Sequence, residues 1–183
     1  SGSTALSAGL IPAAGTKMQQ AAGVKDSTAL FAADIQAKAH QENSQELVDL
    51  LAQNAAEVID WLTQTQGLAF SLVDDFDYPG HSSRRMHGLP TRAGSELIDA
   101  LRSAAERAGI DIICGRRAET LYLHGGVVHG VAALRPAGGI ETIGCGRLIL
   151  ACNGFGGNRA LVSKHMPEIE NGIWFGHDGN RGE

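Results

Sequence analysis

Leu47, Leu50, Leu51, Val58, Trp61 and Leu62 recur at three- and four-residue intervals. That spacing lines one face of an α-helix, so a helix is expected from Asn43-Ser44 onward, ended by Gly67, with Trp61 and Leu62 in the core. An earlier helix is expected behind Asp26 or Ser27 as cap, with Leu30, Phe31, Asp34 and Ile35 forming a mixed face. A third opens at Gly94-Ser95, carries Leu97, Ile98, Leu101, Ala104 and Ala105 on one side, and stops at Gly109. Residues 110–114 follow at once as a short apolar strand, and helix, glycine and buried strand in that order build parallel α/β sheets.

The pattern then changes period. Residues 118–123, 127–134 and 140–143 read as three strands joined by Gly-Gly and Pro-Ala-Gly-Gly turns. Turns this short dictate hairpins, hence an antiparallel meander. Residues 147–151 return to an apolar strand that runs into Asn153-Gly154-Phe155-Gly156-Gly157-Asn158 and a short helix. The strands at 110–114 and 147–151 are expected as parallel neighbours or near neighbours in one sheet. Residues 1–15 are small and aperiodic, and residues 68–90 read as irregular.

Composition narrows the class. Glycine accounts for 24 of 183 residues, nearly twice the usual share of roughly 7%, which implies many tight turns and close backbone approaches. The formal charge of −5 is spread along the chain with no basic cluster, which argues against a nucleic-acid or anionic-membrane surface. No apolar run reaches the roughly 20 residues of a membrane helix, and the first ten residues lack a signal-peptide pattern. Cys114, Cys145 and Cys152 are odd in number and far apart. They are expected as reduced, mostly buried thiols, with the cytoplasm as compartment.

Common self-contained chemistry is missing. The sequence contains no Gly-x-Gly-x-x-Gly, P-loop, His-Glu-x-x-His or Gly-x-Ser-x-Gly. His81, His87, His124, His129, His165 and His177 stand at unrelated spacings and make no helical ligand pair, so no metal site is expected. Asp74, Asp75 and Asp77 lack the glycine and terminal glutamate of a calcium loop. Two glycine-rich stretches remain. In Ser1-Gly2-Ser3-Thr4-Ala5-Leu6-Ser7-Ala8-Gly9, small side chains would let amides and hydroxyls approach a bulky planar or phosphorylated ligand. In Ala151-Cys152-Asn153-Gly154-Phe155-Gly156-Gly157-Asn158, an apolar strand runs into a glycine loop and a helix, the place where α/β sheets bind ligands. Each stretch alone also reads as an ordinary terminus or turn.

In order, the motifs are specific. The first stretch, a Gly-Thr with a glutamine shortly after, and Gly23-Val24-Lys25-Asp26-Ser27 resemble the flavin-binding region of the fumarate reductase and succinate dehydrogenase flavoproteins. Ile59-Asp60-Trp61-Leu62, Arg85-Met86-His87, the helix at Gly94 and the strand-and-loop at 148–158 continue the resemblance over essentially the whole chain. Ketosteroid dehydrogenases share the plan. Ser1 stands where that motif has its first glycine, Ser3 where it has asparagine and Ala8 where glycine is common, while Cys152-Asn153 replace a Thr-Gly pair.

The resemblance implies an α/β fold: an incomplete, Rossmann-like FAD-binding domain with parallel strands, a three-stranded antiparallel meander and a helical layer. Within a partial FAD-binding domain over residues 1–183 it divides the chain into a flavin-motif segment (1–24), a helical layer and loop (25–90) and an α/β portion with the meander (91–183). It implies FAD as cofactor, held by Ser3, Thr4, Ser7, Ala8 and Gly9, by Ala118 and Glu119 through backbone at the adenine, and by Ala151, Asn153 and Gly154 at the strand end. It also implies that the family's pyrophosphate-binding first turn precedes Ser1, and that its substrate histidine and proton-donating arginine follow Gly182-Glu183. No catalytic residue is therefore assigned, and this segment alone is expected to be inactive and to bind FAD weakly or not at all. The parent would reduce or dehydrogenate a carbon–carbon bond beside a carboxylate or carbonyl, with an unsaturated acid or ketone as substrate. Self-association through an exposed sheet edge is expected. The alternative is a non-catalytic flavin-fold module used for binding or assembly; a hydrolase using Ser7 or Ser82 with His87 has no nucleophile motif behind it.

Overall fold

The computed structural model describes residues 2–182, and Ser1, at the first position of the flavin motif, lies outside the described residues. The chain separates into two compact units that divide between Gly109 and Ile110.

In the first unit a 3-10 turn (Ser3–Leu6) leads to the two-residue strand β1 (Ile11–Pro12) and the short helix α1 (Lys17–Ala21). Thr16 caps α1 and Gln19 reaches back, a reciprocal capping box: the Gln19 amide donates to Thr16 Oγ1 at 3.1 Å, and Gln19 Oε1 accepts from Thr16 N. Helix α2 (Thr28–Lys38) starts on Ser27, whose hydroxyl accepts from Leu30 N, so Ser27 rather than Asp26 is the cap. Helix α3 (Gln45–Asp60) ends in a π-helical turn (Trp61–Thr65) and then Gly67 at φ +73°. Strands β2 (Ser71–Leu72) and β3 (Met86–Gly88) flank the acidic loop, and α4 (Gly94–Arg107) closes the unit. Strand β3 is central, antiparallel to β1 through Ile11↔His87 and to β2 through Leu72↔His87. It is buried throughout.

Two apolar clusters support this sheet. One joins Ala13, Ile59, Leu62, Leu68, Phe70, Leu89, Leu97 and Ala104, and the other joins Ala14, Phe31, Ala32, Val48 and Ala52. Helix α3 therefore faces inward with Val48, Ala52 and Ile59, and the expected apolar face is only partly correct. Leu62 is buried, whereas Leu47, Leu50, Leu51, Val58 and Trp61 lie on the outer side, with Trp61 51% exposed. The reason is that α3 carries apolar residues around most of its circumference, so three- and four-residue spacing selects two faces rather than one.

The second unit is built on the meander: β4 (Arg117–His124), β5 (Val127–Leu134) and β6 (Ile140–Gly144), paired antiparallel in the order β4-β5-β6. The hairpins form where the Gly-Gly and Pro-Ala-Gly-Gly turns put them, with Gly125, Gly126, Gly138 and Gly139 all at positive φ. Helix α5 (Arg159–His165) begins on Asn158, whose side chain accepts from Leu161 N. The expected parallel pair is not formed. Residues 110–114 and 147–151 join no ladder, and both sheets of the described residues are antiparallel. Ile110, Ile112, Ile113, Ile149 and Leu150 are exposed, Ile149 at 89%. A parallel strand is held by neighbours on its edges and layers on its faces, and these segments have neither among the described residues. The cysteines also depart from expectation: Cys114 and Cys152 are exposed and Cys145 half-buried, because two of the three sit in or beside those unpaired segments.

Candidate functional site

The small-residue segment is held in one shape by backbone bonds. Ser7 Oγ donates to the Thr4 carbonyl at 2.7 Å and accepts from Gly9 N at 3.0 Å, which ties the 3-10 turn to the bend after it. Gly94 N at the start of α4 donates to the Ser7 carbonyl at 2.8 Å. Such an approach requires glycine: a Cβ on Gly94 would lie 1.8 Å from the Thr4 carbonyl oxygen. Gly9 is buried at φ +63°, where a Cβ would crowd the Ala93 carbonyl at 3.0 Å. Around this anchor Thr4, Ser7 and Ala8 remain exposed and Ser3 half-buried. The result is a fixed loop whose outer face carries Thr4, Ser7 and Ala8 beside the exposed side chain of Leu6.

In the second unit Ala151, Asn153 and Gly154 are all exposed. Asn153 adopts φ +63° and its Oδ1 accepts from Gly154 N at 2.9 Å, so asparagine supplies the left-handed bend a glycine would otherwise give. Gly154 has open space on its Cβ side. The glycine loop borders an apolar cleft of about 490 Å³ lined by Phe155, Val162, Met166, Ile169 and Trp174. Gly156 and Gly176 make room for the Trp174 ring, which a Cβ on either would strike at 2.1 or 2.3 Å. Ala118 pairs with Ala133, and a bulge takes Glu119 out of one-to-one pairing. The Glu119 carboxylate is spent on Arg117 at 2.6 Å, which leaves backbone as the part of this position open to a ligand.

The predicted cofactor residues thus divide between the units: Ser3, Thr4, Ser7, Ala8 and Gly9 share one loop in the first, and Ala118, Glu119, Ala151, Asn153 and Gly154 belong to the second. The first loop offers backbone amides and small hydroxyls to a ligand, and the second offers backbone and the Asn153 side chain.

A second polar constellation lies in the first unit around β3, and sequence reasoning gave only part of it. Arg85 is fully buried. Its Nε and Nη2 donate to Asp26 at 3.0 and 2.9 Å, Nη1 donates to Asp34 at 2.5 Å, and its guanidinium covers the Phe31 ring at 4.8 Å. Arg84, by contrast, pairs with exposed Asp77. Burial raises the Asp34 carboxyl, but the Ser82 hydroxyl and amide and the Arg85 guanidinium outweigh it and hold it below its usual range. Gln19 ties the group together, donating to Asp26 Oδ2 and to the Arg84 carbonyl. His87 is fully buried on β3 with Nε2 at 2.9 Å from Thr16 Oγ1. Burial pushes its pKa below the ordinary value, against the opposing backbone of Ile11 and Arg85.

These bonds remove the hydrolase alternative. Ser82 Oγ is donated to Asp34 and Ser7 Oγ to Thr4, while His87 meets Thr16, so neither serine has a histidine base. Among the described residues no group of three His, Cys, Asp or Glu is placed to hold a metal.

The sequence matches the FAD binding domain family over residues 1–183. It is 33% identical over 179 residues to a probable fumarate reductase of Shewanella frigidimarina, covering 92% of this chain and 29% of the relative. It is 27% identical to the NADH:fumarate oxidoreductase of Klebsiella pneumoniae, covering 93% and 18%. The structure is similar to the open conformation of a flavocytochrome c3 fumarate reductase, with a TM-score of 0.87, 29% identity, and coverage of 98% of this chain and 32% of that one. The fold recurs in the 3-ketosteroid-Δ4-(5α)-dehydrogenase of Rhodococcus jostii, at a TM-score of 0.82 and 20% identity. The chain therefore spans less than a third of the length of the curated relatives named. Two glycine-containing loops, an antiparallel meander and a match along the whole sequence lead to one assignment: the chain belongs to the FAD binding domain family.

Proposed function

We propose that this chain supplies part of the cofactor grip of an FAD-dependent oxidoreductase that reduces or dehydrogenates a carbon–carbon bond beside a carboxylate or carbonyl. The observation that carries this reading is the loop at residues 3–9, pinned to the start of α4 by an approach that only Gly94 permits, with the small groups of Thr4, Ser7 and Ala8 facing outward beside Leu6. The fumarate-directed names of the two curated relatives support the substrate class, an unsaturated acid, with a ketone as the variant suggested by the steroid dehydrogenase.

Bound FAD would supply hydride transfer at its isoalloxazine ring. The residues of this chain would bind and orient it: Ser3, Thr4, Ser7, Ala8 and Gly9 along the flavin and phosphates, the backbone at Ala118 and Glu119 at the adenine, and Ala151, Asn153 and Gly154 at the strand end. None of these is assigned a catalytic role, and proton delivery is assigned to other residues of the flavoprotein. The exposed free thiols of Cys114 and Cys152 suit a reducing compartment such as the cytoplasm.

Ala8→Glu in the whole flavoprotein tests the reading. Ala8 is exposed and outside every helix and strand, so the substitution costs the fold little, yet it sets a carboxylate where the phosphates are placed. FAD should bind at least about tenfold more weakly, by one repulsive charge contact in a partly desolvated site, with circular dichroism unchanged. Unaltered flavin content and affinity in the variant would remove Ala8 from the cofactor's path.

A further inference from the structure

A cleft of about 390 Å³ lies in the first unit between the second half of α2 and the loop at 74–81, within the size range of small-ligand sites. We infer that it is a binding site for a small planar organic carboxylate, anchored by Lys38 and His81 over the apolar surface of Ile35 and Tyr78.

The charge inventory selects the sign of the ligand. Asp34 lines the cleft, but its acceptors are taken: Oδ1 accepts from the Ser82 hydroxyl, and Oδ2 from Ser82 N and from Arg85. A cationic ligand would find that carboxylate engaged, and the Phe31 ring that could receive it already carries the Arg85 guanidinium. Lys38, one helical turn from Asp34, makes no ion pair among the described residues, and its stem rests over Gly80. Its ammonium is thus an uncommitted cation on the rim of the cleft.

His81 supplies the second polar group. Its ring stands between Tyr78, 5.4 Å away by centroid, and Phe31, 6.3 Å away. Its Nδ1 is buried with no hydrogen-bond partner. A buried imidazole nitrogen without a partner costs free energy that a ligand atom would restore. Burial, and then the charge of Arg85, hold the ring below its ordinary pKa, which favours the neutral imidazole with one N–H to donate. An ammonium and an imidazole N–H are complementary to the two oxygens of a carboxylate, and the Tyr78 ring offers a flat apolar wall to its body.

Calorimetric titration of the 183-residue chain tests this without reference to flavin. Sodium trans-cinnamate should bind, and neutral cinnamamide, of the same shape, should bind at least about tenfold more weakly, as expected for losing a charge-assisted contact. Lys38→Met should reproduce that loss with cinnamate, Lys38→Arg should recover most of it, and His81→Phe should weaken binding while circular dichroism stays unchanged. Equal affinity for acid and amide, unaltered binding by Lys38→Met, or no heat with cinnamate at millimolar concentration each overturns the site. In the flavoprotein, the same ligand raising KM at constant kcat would show that the cleft and the substrate exclude one another. Binding that leaves KM unmoved would place it as a separate effector, and either outcome upholds the cleft as a carboxylate site.

Discussion

The guanidinium of Arg85 is enclosed from water and divides its donors between Asp26 and Asp34. Its neighbours stand 59 and 51 residues away in sequence, which is why the dipeptide Arg84-Arg85 reveals nothing of the difference between its members. A buried ion pair is costly to break from one side, because the remaining charge is left unpaired. Arg85→Met should therefore lower unfolding free energy by about 3–5 kcal/mol, and Arg85→Lys should restore little, since an ammonium cannot reproduce the fork on Asp26. Urea midpoints decide it, and a loss within about 1 kcal/mol would mean the cluster is solvated after all. His87 gives this residue scale a pH signature. Its pKa is lowered by burial, so the unfolded chain binds the proton more readily and stability must rise with pH. The contribution is complete above the ordinary histidine value of about 6.5 and is lost as pH falls toward the folded value. Urea midpoints at pH 7.5 and 5.5 should differ more in the native sequence than in His87→Gln, which keeps a polar group for Thr16. His81, shifted in the same direction in the native chain, is present in both proteins, so equal pH slopes would exonerate His87.

At the scale of elements, α3 shows what periodicity can and cannot decide. Its existence and its end at Gly67 were legible from spacing and a left-handed glycine, but the buried face was not, because Leu47, Leu50 and Leu51 are as apolar as Val48, Ala52 and Ile59. The choice is made by α2, which packs along α3, and by the apolar cluster that encloses Ile59. Ile59 is fully buried and Leu50 is 60% exposed. Ile59→Ala should then cost about 2–5 kcal/mol, and Leu50→Ala should stay within about 0.5 kcal/mol. Thermal unfolding of the two variants separates them, and similar losses would show that the outer leucines are covered in solution. Helix α1 is the converse case. Its Thr16-x-x-Gln19 capping box was present in the sequence as a local signature, yet a five-residue helix is too short to show a period. Of the candidate site, the loop at residues 3–9 stood out in the sequence because six of its seven residues are small. Gly94, 85 residues beyond Gly9, is tied to it only by folding.

For the whole molecule the contrast between the two kinds of strand is instructive. The meander was legible because each hairpin is specified by its own turn, with no information needed from elsewhere. Residues 110–114 and 147–151 have the apolar content of buried strands, but a parallel ladder is a long-range product and content alone does not make one. Exposed Ile110, Ile112 and Ile113, with Ile149 and Leu150, leave the second unit with two apolar segments whose backbone groups are unpaired by any sheet. Such segments are templates for pairing with another chain, and their burial would return roughly 25 cal/mol for each Å² of apolar surface removed from water. The net charge of −5 opposes association only at long range and is screened within about 10 Å at ordinary salt. The 183-residue chain should therefore associate with increasing concentration, and more so at higher salt, as measured by light scattering after size exclusion. Ile112→Lys together with Ile149→Lys should hold it monomeric at the same concentration, by placing a desolvation cost in both segments without touching either unit's core. A native chain that stays monomeric throughout, or a double variant that associates as readily, would mean that these strands are not the adhesive surface and that the meander edges at β4 and β6 must be tested in their place.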